Sequence, residues 1–269
     1  METRINKINI ALAQTNIVWE NKGENLKRAE NFIKKAALNG AEAIFFPEMS
    51  FTGFSMNTKL TAESDESTVN AVRRLARENN ISIGFGWVKD CGEKAENHYT
   101  VADMAGEVIS DYAKIHPFTY SGEDKKFKGG ERITFFELNG ITFSGFICYD
   151  LRFPEIFQAV SGRADVIILP ANWPAKRSEH WKTLLRARAI ENQAYILAVN
   201  CVGSIGGTDY SGDSMAVNPN GDILALSPPR EDILYYELKD DVDGFRAAFP
   251  TKADRREGLY RALGNGKSI

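Results

Sequence analysis

The chain has 269 residues, of which 43% are hydrophobic and 26% charged, a composition typical of a soluble globular protein with a large core. The formal net charge of −3 and the scattered lysines and arginines argue against a nucleic-acid partner. No apolar run approaches the ~18 residues that a membrane span needs, so we expect no membrane partner either.

The three cysteines of the chain, Cys91, Cys148 and Cys201, lie far apart in the sequence. An odd, sparse set without a CxxC pair is typical of a reducing compartment and argues against a zinc site. The first residues also lack the apolar segment of a signal peptide. We therefore expect a cytoplasmic protein without a bound metal.

The first half of the chain alternates between strand and helix patterns. Apolar residues at helical spacing follow Asn21, which forms a capping pair with Glu24, and Gly40 marks the end of this helix. The predicted elements are a strand at 7–14, a helix from about 21, a strand at 43–46, a helix beginning near 67 and a strand at 81–88.

Hairpins then interrupt the alternation, and the second of them turns at Asn139-Gly140, a strong hairpin signal. The predicted elements continue as strands 99–104, 107–115, 133–138 and 141–147, a helix near 155–160, a strand at 165–169, a helix capped by Ser178 and running to 192, and strands 195–200, 214–218 and 223–226. Residues 228–232 and the tail after Gly244 are polar and rich in turn formers. This order predicts an α/β fold with mixed sheets and a C-terminal arm.

Cys148 ends a run of apolar, β-branched and small residues, 141–148, that predicts a buried strand. Pro154 suits the first turn of a helix shortly after it. The cysteine is therefore predicted to lie at a strand-to-helix elbow, where the positive end of a helix favours thiolate over thiol. A thiolate at such an elbow is a candidate nucleophile.

Two further polar residues, Glu48 and Lys114, also follow predicted strands, and α/β sheets place their sites at such strand ends. Taken singly, each has a simpler interpretation. A cysteine after an apolar strand is more often an inert core residue, a glutamate there can cap a loop, and a lysine is usually a solvated charge. Together, a thiol, a carboxylate base and an ammonium that holds an oxyanion would make an acyl-transfer site.

A cysteine–histidine pair is the main competing arrangement for a nucleophilic thiol. The candidates are His98 in a predicted polar turn, His116 and His180, and each is better explained as a surface or supporting residue than as a base. The glycine-rich segments 84–86 and 203–207 lack the lysine of a P-loop and the GxGxxG spacing, so no phosphate-binding loop is predicted. Some of the aromatic residues near the three polar ones are expected to wall a pocket.

Three segments of the chain together resemble the nitrilase, or carbon–nitrogen hydrolase, superfamily. Residues 45–54 around Glu48, 112–118 around Lys114 and 145–155 around Cys148 are similar to its glutamate, lysine and cysteine segments, and residues 169–174 and 185–193 form a fourth similar stretch. The resemblance runs from the first strand to about residue 226. Each segment alone is weak evidence, but all of them in this order are highly specific.

The resemblance implies a four-layer α-β-β-α sandwich with mixed sheets, in one domain over 1–269 whose C-terminal arm begins at about 245. It also implies homodimers or larger assemblies. The site that it implies consists of Glu48, Lys114 and Cys148 and uses no metal and no organic cofactor.

A second glutamate often accompanies the lysine in the superfamily, and Glu123 fits that place, with Asp124 and Glu131 close to it in sequence. The segment that begins at Cys148 resembles the omega-amidase branch, which also includes the deaminated-glutathione amidases. Omega-amidases hydrolyse the terminal amide of small α-keto acid amides such as 2-oxoglutaramate. Cys201 departs from the pattern, because many relatives carry an arginine there, and the loss of that cation leaves the substrate open.

The resemblance assigns a role to each candidate catalytic residue. Glu48 is expected to take the proton of Cys148 as the thiol attacks, while Lys114 and the backbone N–H of Tyr149 hold the oxyanion. Glu123 would orient the lysine and the base. Attack by the thiol gives a thioester, which water activated by the same carboxylate then cleaves.

The substrate is expected to be a small amide whose far carboxylate needs a cation. The predicted substrate-binding residues are Phe118, Arg152, Asn172, Trp173 and Arg177, with the two arginines as candidate cations. Arg152 has an equally good structural interpretation, in which it holds Asp150 or Glu155.

Other activities stay open from the sequence alone. Within hydrolases, the alternative is an amidase for another small or peptide-like amide, such as deaminated glutathione or a carbamoyl compound. A third option is an acyl- or cyanide-processing transferase or a nitrilase. Across classes, the alternative is a non-catalytic assembly or sensor protein of the same fold. Such a protein would be expected to lack one of the three site residues, and all three are present.

Overall fold

The computed structural model describes residues 6–239 and 241–264, which form two six-stranded sheets flanked by helices. The first half of the chain contains β1 (Lys7–Gln14), α1 (Lys22–Leu38), β2 (Ala43–Phe45), α2 (Thr58–Thr61), α3 (Ser67–Asn79), β3 (Ser82–Asp90), β4 (Ala95–Ala102) and β5 (Val108–Ala113). Among residues 6–239 and 241–264, no helix combines the length and the apolar content that a membrane crossing requires.

The second half of the chain supplies all the strands of the second sheet, a small hairpin and one edge strand of the first sheet. It contains β6 (Phe135–Leu138), β7 (Ile141–Gly145), α4 (Pro154–Val160), β8 (Val166–Ala171), α5 (Ser178–Asn192), β9 (Tyr195–Asn200), β10 (Val202–Ile205), β11 (Thr208–Ser211), β12 (Met215–Val217), β13 (Ile223–Leu226), β14 (Asp232–Lys239), α6 (Val242–Ala248) and α7 (Glu257–Gly264). Several 3-10 turns join these elements, and β10 and β11 form a separate two-stranded hairpin.

Local sequence signals explain several of these boundaries. The Asn21 side chain accepts a hydrogen bond of 3.1 Å from the backbone N–H of Glu24, so the predicted capping of α1 is confirmed. Asn139 and Gly140 join β6 to β7 with φ of +51° and +77°, the two left-handed residues that a type I′ turn requires. The second predicted hairpin is therefore confirmed.

The sheets stack face to face with helices on both outer sides, which confirms the predicted four-layer α-β-β-α sandwich with mixed sheets. Residues of the first sheet, such as Phe45 and Tyr99, belong to the same apolar core as Phe143 and Ile168 of the second. The outer face of the first sheet packs against α1 and α3 in a second core. The outer face of the second sheet is covered by α4 and α5, whose buried residues include Trp181.

The direction of the strands places several strand ends at one edge of the sandwich. The first sheet has the order β14-β1-β2-β3-β4-β5, with β1, β2 and β3 parallel and β5 pointing the same way as β3. The second has the order β13-β12-β9-β8-β7-β6, with β7, β8 and β9 parallel. A hydrogen bond joins Asn172, after β8, to Glu48, after β2, so the carboxyl ends of both parallel sets meet.

Some predicted elements differ from the structure. Strand β14, which extends the first sheet beside β1, and the β10–β11 hairpin were not predicted. Strand β4 begins at Ala95 rather than at 99, so His98 lies in a strand and the prediction of a polar turn there was wrong. Ser178 does not cap α5: it is the first helical residue, and its hydroxyl donates to Asp213.

The described part of the C-terminal tail lies on the surface of its own chain. Arg246 of α6 donates to Asp165 (2.9 Å) and to the carbonyl oxygen of Ala164 (2.7 Å), both just before β8. The Gln193 amide donates to the carbonyl oxygen of Phe249 at 2.7 Å. Residues 265–269, the end of the predicted arm, lie outside the described residues.

Candidate active site

A buried lysine and two buried carboxylates form the centre of the site. The Lys114 ammonium, just after β5, donates to Glu48 Oε1 at 2.9 Å and to Glu123 Oε2 at 2.9 Å and Oε1 at 3.1 Å. The side chains of all three residues are at most 1% exposed. Glu123 rather than Asp124 or Glu131 therefore occupies the place beside the lysine.

The charges in this cluster shift its pKa values. Burial by itself lowers the pKa of Lys114, but the carboxylates of Glu123 and Glu48 outweigh it and raise that pKa above its usual range. Burial and the nearby charge of Glu48 raise the pKa of Glu123, against the opposing effect of Lys114. Lys114 therefore stays an ammonium at neutral pH, as the stabilisation of an oxyanion requires.

Asn97 of β4 completes the cluster, and the sequence analysis missed it. Its side-chain amide donates to Glu48 Oε1 at 2.8 Å and to Glu123 Oε1 at 3.3 Å, and its backbone carbonyl oxygen accepts from the backbone N–H of Lys114 at 2.8 Å. Because the predicted strand began two residues later, Asn97 fell in a predicted turn and carried no signal of its own.

Cys148 lies at a strained elbow three residues after the end of β7. Its φ of +46° is in the left-handed region, which non-glycine residues adopt rarely outside functional sites. A 3-10 helix, Cys148–Arg152, starts at this residue, and α4 begins only at Pro154. The backbone N–H of Tyr149 lies in the first turn of that 3-10 helix, where N–H groups lack partners within the helix.

The prediction that the elbow favours thiolate was wrong for the resting site. Burial and the charge of Glu48 raise the pKa of the Cys148 thiol well above its ordinary value, although Lys114 and a backbone hydrogen bond from Asn172 act in the opposite direction. The helix that was expected to lower the pKa begins six residues further on. The thiol therefore keeps its proton until a base removes it.

Asp150 holds the cysteine elbow to the lysine segment. Its buried carboxylate accepts from the Tyr112 hydroxyl (2.8 Å), from the backbone N–H of Ile147 (3.0 Å), and from the backbone N–H of His116 (3.0 Å), with the His116 ring at 2.7 Å. Arg152 contacts His180 and the Trp173 ring and forms no ion pair with Asp150 or Glu155, both in the described residues, so the interpretation in which it holds one of them was wrong.

A cavity of about 220 Å³ opens beside Cys148. It is lined by Phe54, Lys114, Phe118, Tyr120, Ser121, Cys148, Tyr149, Arg152, Asn172, Trp173, Pro174, Lys176, Arg177, Thr208 and Tyr210. All five predicted substrate-binding residues are among them. Thr208 and Tyr210 come from the unpredicted β10–β11 hairpin, whose tip at Gly206 packs against Trp19.

The mouth of the cavity is positively charged. Arg152 lies over the Trp173 ring at 4.7 Å, and Arg177 lies over the Phe118 ring at 5.4 Å. Burial and the charge of Arg177 lower the pKa of Arg152, because the two guanidinium groups repel each other. No acidic residue is among the lining residues in the part of the chain that the structure describes, so an anionic group would be attracted to this mouth.

The absence of a side chain at Gly86 allows the loop that carries Glu48 to lie against β3. A Cβ added to Gly86 would lie 2.3 Å from the backbone nitrogen of Met49, so only glycine allows the loop after β2 to pass so close to β3. The Ser50 hydroxyl bonds the Gly86 N–H at 2.8 Å. Segment 84–86 is a strand rather than a phosphate loop, as predicted, but its role in packing was missed.

The three histidines do not bond to Cys148. His98 of β4 is buried and bonds Asp111 and Glu96. His116 bonds Asp150, and the His180 ring lies 3.4 Å from the Arg152 guanidinium. Within residues 6–239 and 241–264, no group of three or more histidine, cysteine, aspartate or glutamate side chains is arranged to hold a metal ion.

The fold and the site are those of a hydrolase of carbon–nitrogen bonds. A model of the carbon-nitrogen hydrolase family matches residues 9–247. The chain belongs to this family, and it is an amidase with a Glu-Lys-Cys site. The superfamily expected from the three segments is thereby confirmed.

Two curated relatives and one solved structure illustrate the similarity. The chain is 34% identical to a 2-oxoglutaramate amidase of Bacillus subtilis over 94% of this chain and 100% of the relative, and 34% identical to an omega-amidase of Escherichia coli over 82% and 85%. Its fold matches a mutant amidase of Nesterenkonia sp. AN1 with a TM-score of 0.86 and 25% identity, over 97% and 98% of the chains. In that structure the acetamide moiety of fluoroacetamide is covalently added at the active-site cysteine.

Proposed function

We propose that this protein is an omega-amidase that hydrolyses the terminal amide of a small carboxylate-bearing amide, of the 2-oxoglutaramate type, and releases ammonia. The observation that carries the proposal is the buried Glu48–Lys114–Glu123 cluster beside Cys148 at the floor of a cavity whose mouth is cationic. The names of the two relatives support the same substrate class.

The proposed reaction begins with the neutral Cys148 thiol. As the sulfur attacks the amide carbon, Glu48 takes the thiol proton, and the carbonyl oxygen becomes an oxyanion held by the Lys114 ammonium and the Tyr149 N–H. One such donor lowers the barrier by about 3 kcal/mol. Glu48 then protonates the departing nitrogen, the C–N bond breaks, and ammonia leaves a thioester on the sulfur.

The second half of the proposed reaction reverses the proton transfers. A water molecule gives a proton to the Glu48 carboxylate and attacks the thioester carbon, and the same two donors hold the second oxyanion. Collapse of this intermediate breaks the C–S bond, returns the proton to the sulfur and releases the carboxylic acid. Glu123 supports both halves, because its two oxygens fix the position of the Lys114 ammonium.

The proposed substrate carboxylate binds at the cavity mouth, where Arg177 and Arg152 stack on aromatic rings and face no acidic lining residue in the described part of the chain. A cation on an aromatic face keeps its N–H groups at its edges, where a carboxylate can bind two of them. Arg177→Met should raise KM for 2-oxoglutaramate about tenfold or more. Its kcat/KM for a neutral aliphatic amide should change little, and an equal loss on both substrates would contradict the assignment.

Ammonia release from a substrate panel tests the proposed function. The panel contains 2-oxoglutaramate, glutamine, deaminated glutathione, a carbamoyl compound, aliphatic amides and a nitrile, and we expect the highest kcat/KM for 2-oxoglutaramate. Cys148→Ala should abolish the activity with the fold intact, while Cys91→Ala, an exposed cysteine, should not. A mass increase on Cys148 with a slow substrate supports the thioester, and full activity of Cys148→Ala would reject it.

We further propose that the protein is cytoplasmic and forms a homodimer or a larger assembly. The three unpaired cysteines support the first statement. Exposed apolar side chains at the β13 edge of the second sheet, Ile223, Leu224 and Leu226, and the adjacent Ile190 support the second. Sedimentation velocity tests the assembly, and a monomer at micromolar concentration would reject it.

A further inference from the structure

Cys201, the residue that departs from the family pattern, does not line the cavity. It lies directly after β9, is fully buried, and is absent from the residues around the cavity that the structure describes. The Cys201 side chain itself therefore makes no contact inside the cavity. The thiol is nevertheless two hydrogen bonds away from the carboxylate that is proposed to act as the base.

Asn172 links Cys201 to Glu48. The backbone N–H of Asn172 donates to Glu48 Oε2 at 2.9 Å, and its side-chain Nδ2 donates to the carbonyl oxygen of Glu48 at 2.5 Å. Asn172 therefore holds both the backbone and the carboxylate of Glu48. The other carboxylate oxygen, Oε1, is held by Lys114 and Asn97, so the Glu48 side chain is fixed from two sides.

The Cys201 thiol and the carbonyl oxygen of Glu48 hold the Asn172 amide in one orientation from its two ends. Its sulfur lies 3.0 Å from Asn172 Oδ1, so the S–H donates to that oxygen. In the opposite orientation Oδ1 would face the carbonyl oxygen of Glu48, and two acceptors would oppose each other. Burial and the charge of Glu48 raise the pKa of Cys201, which keeps the proton on the sulfur at neutral pH.

We infer that Cys201 is a positioning residue for amide hydrolysis: its thiol fixes the Asn172 amide, and Asn172 in turn holds the Glu48 carboxylate against Cys148. The inference rests on the proposed role of Glu48 as the base. Without the S–H donor, the buried Asn172 oxygen loses its partner, and the side-chain amide is held only by its bond to the carbonyl oxygen of Glu48.

Three substitutions at position 201 separate the hydrogen bond from the volume of the side chain. Cys201→Ser keeps a donor, Cys201→Ala removes donor and volume, and Cys201→Val keeps the volume without a donor. We expect kcat to fall about tenfold in the alanine and valine variants, with KM within about twofold of the unchanged protein. Cys201→Ser should retain most of kcat, and the exposed control Cys91→Ala all of it.

The outcomes separate this inference from the proposed function. If Glu48→Gln retains activity, the proposed base is wrong and the inference falls with it. If Glu48→Gln is inactive while Cys201→Ala and Cys201→Val keep full kcat, only the positioning role is rejected. An equal loss in the serine, alanine and valine variants would also reject it, because packing rather than the donor would then matter. Thermal unfolding of each variant confirms that the fold is retained.

Discussion

Lys114 is a buried charge whose hydrogen bonds all go to protein groups instead of to water. A lysine at a strand end is normally solvated, but here three hydrogen bonds from its ammonium to two carboxylates replace water completely. The cluster of Lys114, Glu48 and Glu123 carries one more negative than positive charge when all three are ionised. We therefore expect the lysine to stabilise the fold in addition to its proposed role at the oxyanion.

Lys114→Met removes the charge and keeps most of the side-chain volume. The variant should lose about 3–5 kcal/mol in the free energy of unfolding, because two buried carboxylates then face each other without a cation. Urea unfolding measures the loss, and ammonia release should disappear. In the double variant Lys114→Met with Glu123→Gln, part of the stability should return without activity. A single variant as stable as the unchanged protein would contradict this account.

His98 gives a pH dependence to stability that is separate from catalysis. Burial lowers its pKa, but hydrogen bonds to Asp111 (2.9 Å) and Glu96 (3.0 Å) outweigh it and raise the pKa. A raised histidine pKa adds stability that is complete below the unfolded value of about 6.5 and is lost as pH rises through the folded value. The pKa values of both carboxyl partners are lowered, so they stay charged in that range.

His98→Gln should therefore destabilise the protein most near pH 6, by about 1–3 kcal/mol in the free energy of unfolding. The difference from the unchanged protein should shrink as pH rises through the folded pKa of His98, because the ring then loses its charge in both states. Denaturant unfolding at three pH values measures it. A difference that is the same at pH 6 and pH 9 would show that the charge on His98 contributes nothing.

At the scale of the elements, the site depends on how closely one loop passes a neighbouring strand. The loop after β2 carries Glu48 and lies against β3 at Gly86, where no side chain fits. In contrast, Gly145 at the end of β7 has no heavy atom closer than 3.7 Å to an added Cβ. Gly86, in the middle of β3, is therefore required by a close contact, whereas Gly145, at the end of β7, is not.

Gly86→Ala should displace the Glu48 loop, because the new Cβ would lie 2.3 Å from a backbone atom that cannot rotate away. We expect at least about a tenfold loss in kcat and a loss of about 1–3 kcal/mol in stability, the range of overpacked sites. Gly145→Ala, the matched control, should be close to neutral in both measurements. Equal behaviour of the two variants would show that close approach at Gly86 does not position the base.

At the scale of the whole molecule, the site and the C-terminal segment attach to opposite ends of the same strand. Asn172 follows the carboxyl end of β8 and bonds Glu48, while Arg246 of α6 bonds Asp165 just before the strand begins. The length of β8 separates the two regions. Stability and activity should therefore respond independently to changes in the C-terminal segment.

Arg246→Ala removes two hydrogen bonds of 2.9 and 2.7 Å, one of them to a charged partner. The variant should lose about 1–3 kcal/mol in the free energy of unfolding, with kcat and KM unchanged. Arg261→Ala, at an arginine whose side chain is 80% exposed, should have no measurable effect on either. A change in kcat without a change in stability would show that the segment acts on the site.

Much of the fold and the centre of the site could be predicted from short stretches of sequence. The Asn139-Gly140 turn, the capping of α1 by Asn21 and the strand before Cys148 are specified by residues close together in the chain, so their signals are local. The three segments around Glu48, Lys114 and Cys148 each end a strand, and strand direction brings such ends to one edge.

Other features were decided only by tertiary structure. The contacts of Asn97 with Glu48 and of Cys201 with Asn172 join segments that lie far apart in the sequence. Strand β14 is a half-exposed edge strand with weak alternation of buried and exposed residues. The protonation of Cys148 followed from burial and the Glu48 charge rather than from the expected helix. Local sequence specifies turns, caps and strands through neighbouring residues, whereas hydrogen-bond partners and electric fields depend on distances that only the packed chain defines.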